Sequence, residues 1–221
     1  MATLILRPVS DISLNHTCSS GSSGYSLLNE STADDASTYI YQSISSTSSA
    51  SKTSSFKLSG TSSNKIKITS AKVVVRACHN TSNSSDTRSL NFKLGIGGKT
   101  SSSKTVSLGT SFADTTQTYT ASDLGIADTV YDSFDAANIT VSLTSSGALN
   151  SSKNSSFSIR ITQIYVEITY DEIVDTGTRL YIKNNNQYSE IKAIYKKING
   201  TYVKQTDISS LFNSSTKYKK G

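Results

Sequence analysis

Few residues in this 221-residue chain have the types and spacing that chemistry needs. His16-Thr-Cys18 and Cys78-His79 supply two imidazoles and two thiols, the donor set of a tetrahedral zinc site. Their spacings fit no zinc-binding pattern. On a strand, moreover, Cys78 and His79 would face opposite sides and could not turn to one ion. Two cysteines make no disulfide framework, so they read as reduced thiols packed in the interior. Asp34-Asp35 is a candidate calcium loop, because calcium takes carboxylate and carbonyl oxygens; the competing reading is a solvated acidic loop. Serines abound, yet none sits in a G-x-S-x-G elbow. Neither histidine has an acidic partner nearby in sequence, and no H-E-x-x-H, P-loop or dinucleotide fingerprint occurs. The expectation is a protein with no catalytic residues and no cofactor.

Aromatic and basic residues suggest binding instead. Tyr25, Tyr39, Tyr41 and Tyr119 are candidates for a sugar platform, since tyrosine offers a flat apolar face with a polar edge. The chain has no Trp, and Tyr39 and Tyr41 share one face of a strand, so the core is their expected place. Toward the C-terminus, lysines interleave with tyrosines. Lys192, Tyr195, Lys196, Lys197, Tyr202, Lys204 and Tyr218 are the candidate partner-binding residues. Cations with aromatics can hold single-stranded nucleic acid or dock on an acidic protein shell or wall polymer. Arginine is scarce in this segment, so docking on protein or polymer ranks first, simple solubilisation second and nucleic acid last.

These residues need elements to hold them, and the chain changes character near Asp171–Gly177. Up to Asp175 it carries 13 Lys and Arg against 14 Asp and Glu; beyond it, 9 against 2. The net charge of +6 therefore belongs to a short C-terminal module. The first part is crowded with Ser and Thr. Apolar residues alternate or run together at Thr3–Arg7, Tyr25–Asn29, Thr38–Ile44, Ser55–Ser59, Ile66–Ala77, Leu90–Ile96, Thr105–Leu108, Gln117–Thr120, Asn138–Leu143 and Phe157–Tyr170. Short strands at this spacing, separated by Gly, Ser and Asn turns, predict an all-β sandwich or barrel. Phe157–Tyr170 carries apolar residues in both phases, which predicts burial on both faces. Ala121–Ala127 and Thr129–Ala137 are the helix candidates, neither longer than about two turns. Asn199-Gly200 is a strong hairpin signal and pairs Lys197 with Tyr202. The division is a β domain over 1–172, a linker over 173–178 and a basic β-hairpin module over 179–221. No run of about 18 apolar residues occurs, which predicts no membrane helix.

Several stretches resemble structural proteins of tailed-bacteriophage virions. They are Leu6-Arg-Pro-x-Ser-Asp-Ile-Ser, Ser22-Ser-Gly-Tyr-Ser-Leu-Leu-Asn-Glu, Ala33-Asp-Asp-x-Ser-Thr-Tyr-Ile and Ile161-Thr-Gln-Ile-Tyr-Val-Glu-Ile-Thr-Tyr170. Ile191-Lys-Ala-Ile-Tyr-Lys-Lys-Ile-Asn-Gly-Thr-Tyr-Val-Lys-Gln205 is similar to a module at the C-termini of such proteins, with Tyr202 where that module commonly has Trp. The resemblance implies a jelly roll akin to carbohydrate-binding modules. It implies a non-enzymatic capsid decoration or head-fibre protein that docks in many copies on the major capsid protein or other virion proteins. A homo-oligomer such as a trimer is expected. The alternative is a tail or baseplate receptor-binding protein that grips host cell-wall polysaccharide. The N-terminus lacks the basic and apolar regions of a secretory signal, so the expected place is the virion, assembled in the host cytoplasm.

Overall fold

The computed structural model describes residues 1–35, 37–62, 64–151 and 155–173. In the C-terminal part it describes the backbone of 181–184, 187–190, 195–198 and 201–204. The chain divides into two compact units, Met1–Asp175 and Thr176–Gly221.

The first unit is a sandwich of antiparallel strands: β1 (Ala2–Ser13), β2 (Thr17–Cys18), β3 (Ile40–Ile44), β4 (Ala50–Ser59), β5 (Lys65–His79), β6 (Thr87–Ile96), β7 (Lys99–Thr100), β8 (Lys104–Thr105), β9 (Ala113–Thr120), β10 (Thr140–Ala148) and β11 (Phe157–Ile173). One layer runs β9-β5-β11, with β1 and β3 side by side on the far edge of β11 and β2 beyond β3. The other runs β4-β10-β6, edged by β7 and β8. β1 belongs to both: Ala2–Leu6 pair with β11, and Arg7–Ser13 pair with β4. Alternation supplies the core. Phe56 and Leu58 of β4, Phe92 and Leu94 of β6, and Val141 and Leu143 of β10 face Val73 and Val75 of β5 and Val166 and Ile168 of β11, all essentially without solvent contact.

The double phase of Phe157–Tyr170 has a specific cause. The β5–β11 ladder slips by one residue between Ile161 and Gln163, leaving Thr162 as an extra residue, and again at Thr69 of β5. A β-bulge moves every later side chain to the other face. On β11 the core phase is Phe157, Ile159, Ile161 before the bulge and Ile164, Val166, Ile168 after it. On β5 it is Ile66, Ile68 and then Ala71, Val73, Val75. Both bulge threonines donate their hydroxyls to backbone carbonyls: Thr162 to Thr38 at 2.9 Å and Thr69 to Thr169 at 3.0 Å. Burial on both faces, as expected from the sequence, holds near Ser158 and Gln163.

Three local expectations are corrected. Tyr25–Asn29 is not a strand; Gly24–Leu28 form a short helix, α1. Its free N–H groups at Gly24 and Tyr25 are accepted by the distant Asp11 carboxylate at 2.9 and 2.7 Å, while Leu27 and Leu28 enter the core. Ala121–Ala127 and Thr129–Ala137 form turns rather than helices; the first bends through Gly125 at a φ of 67°. Strands β4 and β10 also extend well into Ser/Thr sequence that carries no apolar rhythm. Between β6 and β7 the chain reverses through Gly97 and Gly98 at φ of 58° and 77°, as a tight hairpin requires.

The second unit contains two hairpins, β12 (Tyr181–Asn184) with β13 (Gln187–Glu190) and β14 (Tyr195–Ile198) with β15 (Thr201–Lys204). Lys197 opposes Tyr202 and Lys196 opposes Val203, the register of a two-residue loop. Asn199 and Gly200 themselves lie outside the described residues.

Candidate functional site

Three polar constellations stand out in the sandwich, and the first is internal. Ser54 of β4, Ser145 of β10 and Gln42 of β3 all take core-facing positions. Polar groups in such places need partners. His16, in the turn after β1, provides them. Ser54 Oγ accepts the backbone N–H groups of Asn15 and His16 at 3.0 and 3.1 Å. Its own hydrogen is thereby directed to His16 Nδ1, 2.7 Å away. Nε2–H then donates to Ser145 Oγ at 2.7 Å, and Ser145 donates to Gln42 Oε1 at 2.5 Å. The chain of donors runs one way and suits a neutral imidazole. Burial, with the nearby Lys52 charge, lowers the His16 pKa to about 4. Serine beside histidine is half of a nucleophilic pair, but both hydroxyls are buried and committed. The arrangement ties the two layers together.

His16 therefore has no ring nitrogen left for a metal. Cys18 and Cys78 are free thiols, and burial raises both pKa values. Among the described residues no three His, Cys, Asp or Glu side chains converge on a point that could hold an ion.

The second constellation fastens the Glu30–Thr38 loop onto the outer face of the β11 layer. Gln163 donates to the Glu30 carbonyl at 2.7 Å, where Arg7 also donates. Asp34 accepts the backbone N–H and hydroxyl of Thr38 at 3.0 and 2.9 Å. Asp35 sits at a φ of 52°, a left-handed conformation that Asp tolerates. Both its oxygens are taken by Arg76, at 2.6 and 2.8 Å, and Arg76 also reaches Asp114 at 3.0 Å. Hydrogen bonding from Arg76 holds the Asp35 carboxyl below its ordinary range. The two acids proposed for calcium thus serve different partners, and a guanidinium occupies the place a cation would take. Tyr39 and Tyr41 are corrected from the core to the outer face, where they are half-buried. Their rings meet edge to face at 5.8 Å, with Arg160 over Tyr39 at 5.0 Å. Tyr119 is core, not platform.

The third is a hollow of about 450 Å³ on the outer face of the β4-β10-β6 layer, lined by Thr53, Asn91, Lys93, Ser103, Ser142 and Thr144 with Phe92. Phe92 contributes to its floor but is only 1% exposed. The sequence signal was the Ser/Thr alternation of β4 and β10, legible only once their pairing is known.

Of the C-terminal candidates, Tyr195, Lys196 and Lys197 lie on β14, and Tyr202 and Lys204 on β15. Lys192 and Tyr218 lie outside the described residues.

No protein-family model matches the chain, and no curated protein matches it. Similar solved structures include the insecticidal δ-endotoxin Cry8Ea1 of Bacillus thuringiensis, 14% identical over 60% of this chain and 20% of the toxin, with a TM-score of 0.26. Another is TmCBM61, solved with β-1,4-galactotriose: 8% identical over 60% of this chain and 72% of that one, TM-score 0.24. A third is from infectious bursal disease virus, Gt strain: 13% identical over 76% of this chain and 43% of that one, TM-score 0.21. Each contains a β-sandwich.

Proposed function

We propose that this chain is a non-enzymatic bacteriophage virion protein, a capsid decoration or head-fibre protein that docks on the shell in many copies. The observation that carries the reading is the resemblance of four stretches of the first unit, and of Ile191–Gln205, to such proteins. The sandwich adds a surface suited to docking. β1 slips twice against β4, between Pro8 and Ser10 and between Asp11 and Ser13, so Val9 and Ile12 are the extra residues. Bulges re-aim side chains, and here both aliphatic residues turn to solvent, 45% and 57% exposed, with Ile5 at 49% on the same strand. Apolar groups concentrated on one strand suit a protein partner. Many copies set by symmetry make weak contacts effective.

Gold-labelled antibody against the protein, applied to intact virions and viewed by electron microscopy, tests the placement. Label over the head supports decoration. Label confined to the tail tip sinks it and leaves the second reading, a receptor-binding protein for host cell-wall polysaccharide. That reading is favoured by the lysines and tyrosines of β14 and β15 and by the polar hollow. The docking surface is tested separately: Ile5→Lys combined with Ile12→Lys is expected to leave the thermal transition unchanged and to reduce the copies incorporated per virion, read by gel densitometry.

A further inference from the structure

We propose that the hollow on the β4-β10-β6 layer binds an anionic, hydroxyl-rich chain, either sugar acids or polyol phosphates. The inference rests on the polysaccharide reading above and supplies its site and ligand class.

The register lays out a grid. Ser142 of β10 lies between Ser55 and Lys93, and Thr144 between Thr53 and Asn91. Hydroxyls and amides both donate and accept, so they match the vicinal hydroxyls of a polyol. Thr53 and Thr144 bond each other at 3.0 Å, and each retains hydrogen-bonding capacity. Asn91 Oδ1 accepts from Thr105 at 2.9 Å; its Nδ2 hydrogens have no protein partner among the described residues. Lys93 is exposed and has no ion pair among the described residues. No carboxylate lines the hollow. A cation and unpaired donors without an acid select a ligand with negative charge.

The wall is already in place. Ser101 donates its backbone N–H to Leu94 at 2.8 Å and returns its hydroxyl oxygen to the Leu94 N–H at 3.0 Å. The Tyr119 hydroxyl donates to the Ser102 carbonyl at 3.2 Å. Ser103 is thus held beside the grid, and binding orders little of the chain. The volume lies in the range of small-ligand sites. Phe92, at 1% exposure, offers no ring for stacking, so one site binds weakly and many copies must act together.

NMR titration of the full chain with tri-galacturonate, a glycerol-phosphate oligomer and neutral maltotriose tests this, alongside sedimentation with purified host cell walls. Amide shifts at Thr53, Asn91, Lys93, Ser103 and Thr144 are expected with an anionic probe, and the stronger of the two identifies its source. Lys93→Ala is expected to weaken binding about five- to tenfold, and Thr144→Val about threefold, without change in melting temperature. Lys67→Ala, on β5 of the opposite layer, is expected to leave it unchanged. Shifts confined to residues after Thr176, or Lys93→Ala binding like the parent, overturn the site while the polysaccharide reading stands. No response to any probe, with walls still bound, does the same. Failure to bind walls overturns both.

Discussion

At the scale of single residues, His16 shows how a polar group in the core is made tolerable. Every hydrogen-bonding atom of the Ser54–His16–Ser145 chain is used, and in one direction only. A second proton on the ring would meet a Ser54 oxygen already holding two N–H groups. The folded pKa of about 4 lies below the ordinary 6.5, so on acidification the unfolded chain takes the proton first. The contribution is complete above pH 6.5 and is lost as the pH falls toward 4, amounting to about 3 kcal/mol. His79 is displaced in the same direction by burial and adds to the fall. Urea denaturation at pH 7.5 and pH 4.5 measures it, and His16→Ala should flatten most of the difference. At pH 7.5 that substitution is expected to cost about 2–4 kcal/mol, since it strands two buried hydroxyls. The sequence marks His16 only as a donor near Cys18. What is legible, once the pairing is known, is that Ser54 continues the core phase of Phe56 and Leu58, and Ser145 that of Val141 and Leu143. A serine in the core phase demands a partner; which one depends on the return of a distant chain segment, 129 positions separating His16 from Ser145.

At the scale of elements, the strands richest in aliphatic residues are readable directly. β5 and β11 can be placed close to their true limits because apolar residues recurring at strand spacing over ten or more residues match the period of a strand and of no helix. The first cause of failure is composition. Where hydroxyls replace apolar side chains, as at Ala50–Ser54 and Thr144–Gly147, the period is invisible although the backbone still pairs. α1 is not legible because five residues carry no helical period and its cap, Asp11, comes from β1. Asp11→Ala should therefore unfold α1 and cost about 1–2 kcal/mol, seen as a lowered denaturation midpoint with earlier amide exchange at Gly24 and Tyr25. Bulges are equally hidden: Thr69 and Thr162 look like ordinary strand residues, and only the switch of core phase betrays them. Thr162→Val keeps the strand shape but loses the bond to Thr38, and about 1 kcal/mol is the expected cost.

At the scale of the whole molecule, the division of charge parallels the division of the chain. The described core runs from Leu6 to Tyr170, inside the first unit. The segment Met1–Asp175 expressed alone is accordingly expected to melt within about 2 °C of the main transition of the full chain. A larger fall would show that the second unit contributes to the sandwich. Interaction of the second unit with an anionic polymer should weaken steeply with added salt, because its nine Lys and Arg outnumber its two Asp and Glu; retention on a wall-polymer column at rising salt reads this.

The pairing of β1 with β11 also fixes how the sandwich responds to tension. Ala2 lies opposite Tyr170, and the Met1 amino group meets Asp171 at 3.3 Å. The two ends of the first unit thus leave from one corner. Ladder bonds between antiparallel strands lie across the strand direction. A pull between Met1 and Ile173 would load them one after another, as a zipper is opened, whereas a pull from Met1 against the far end of β4 would load many at once. Optical-tweezer experiments with handles at those positions should record a lower rupture force in the first geometry. A tether fused at Met1 is thus poorly placed to hold this sandwich against drag, and a broad face contact is the geometry in which it resists best.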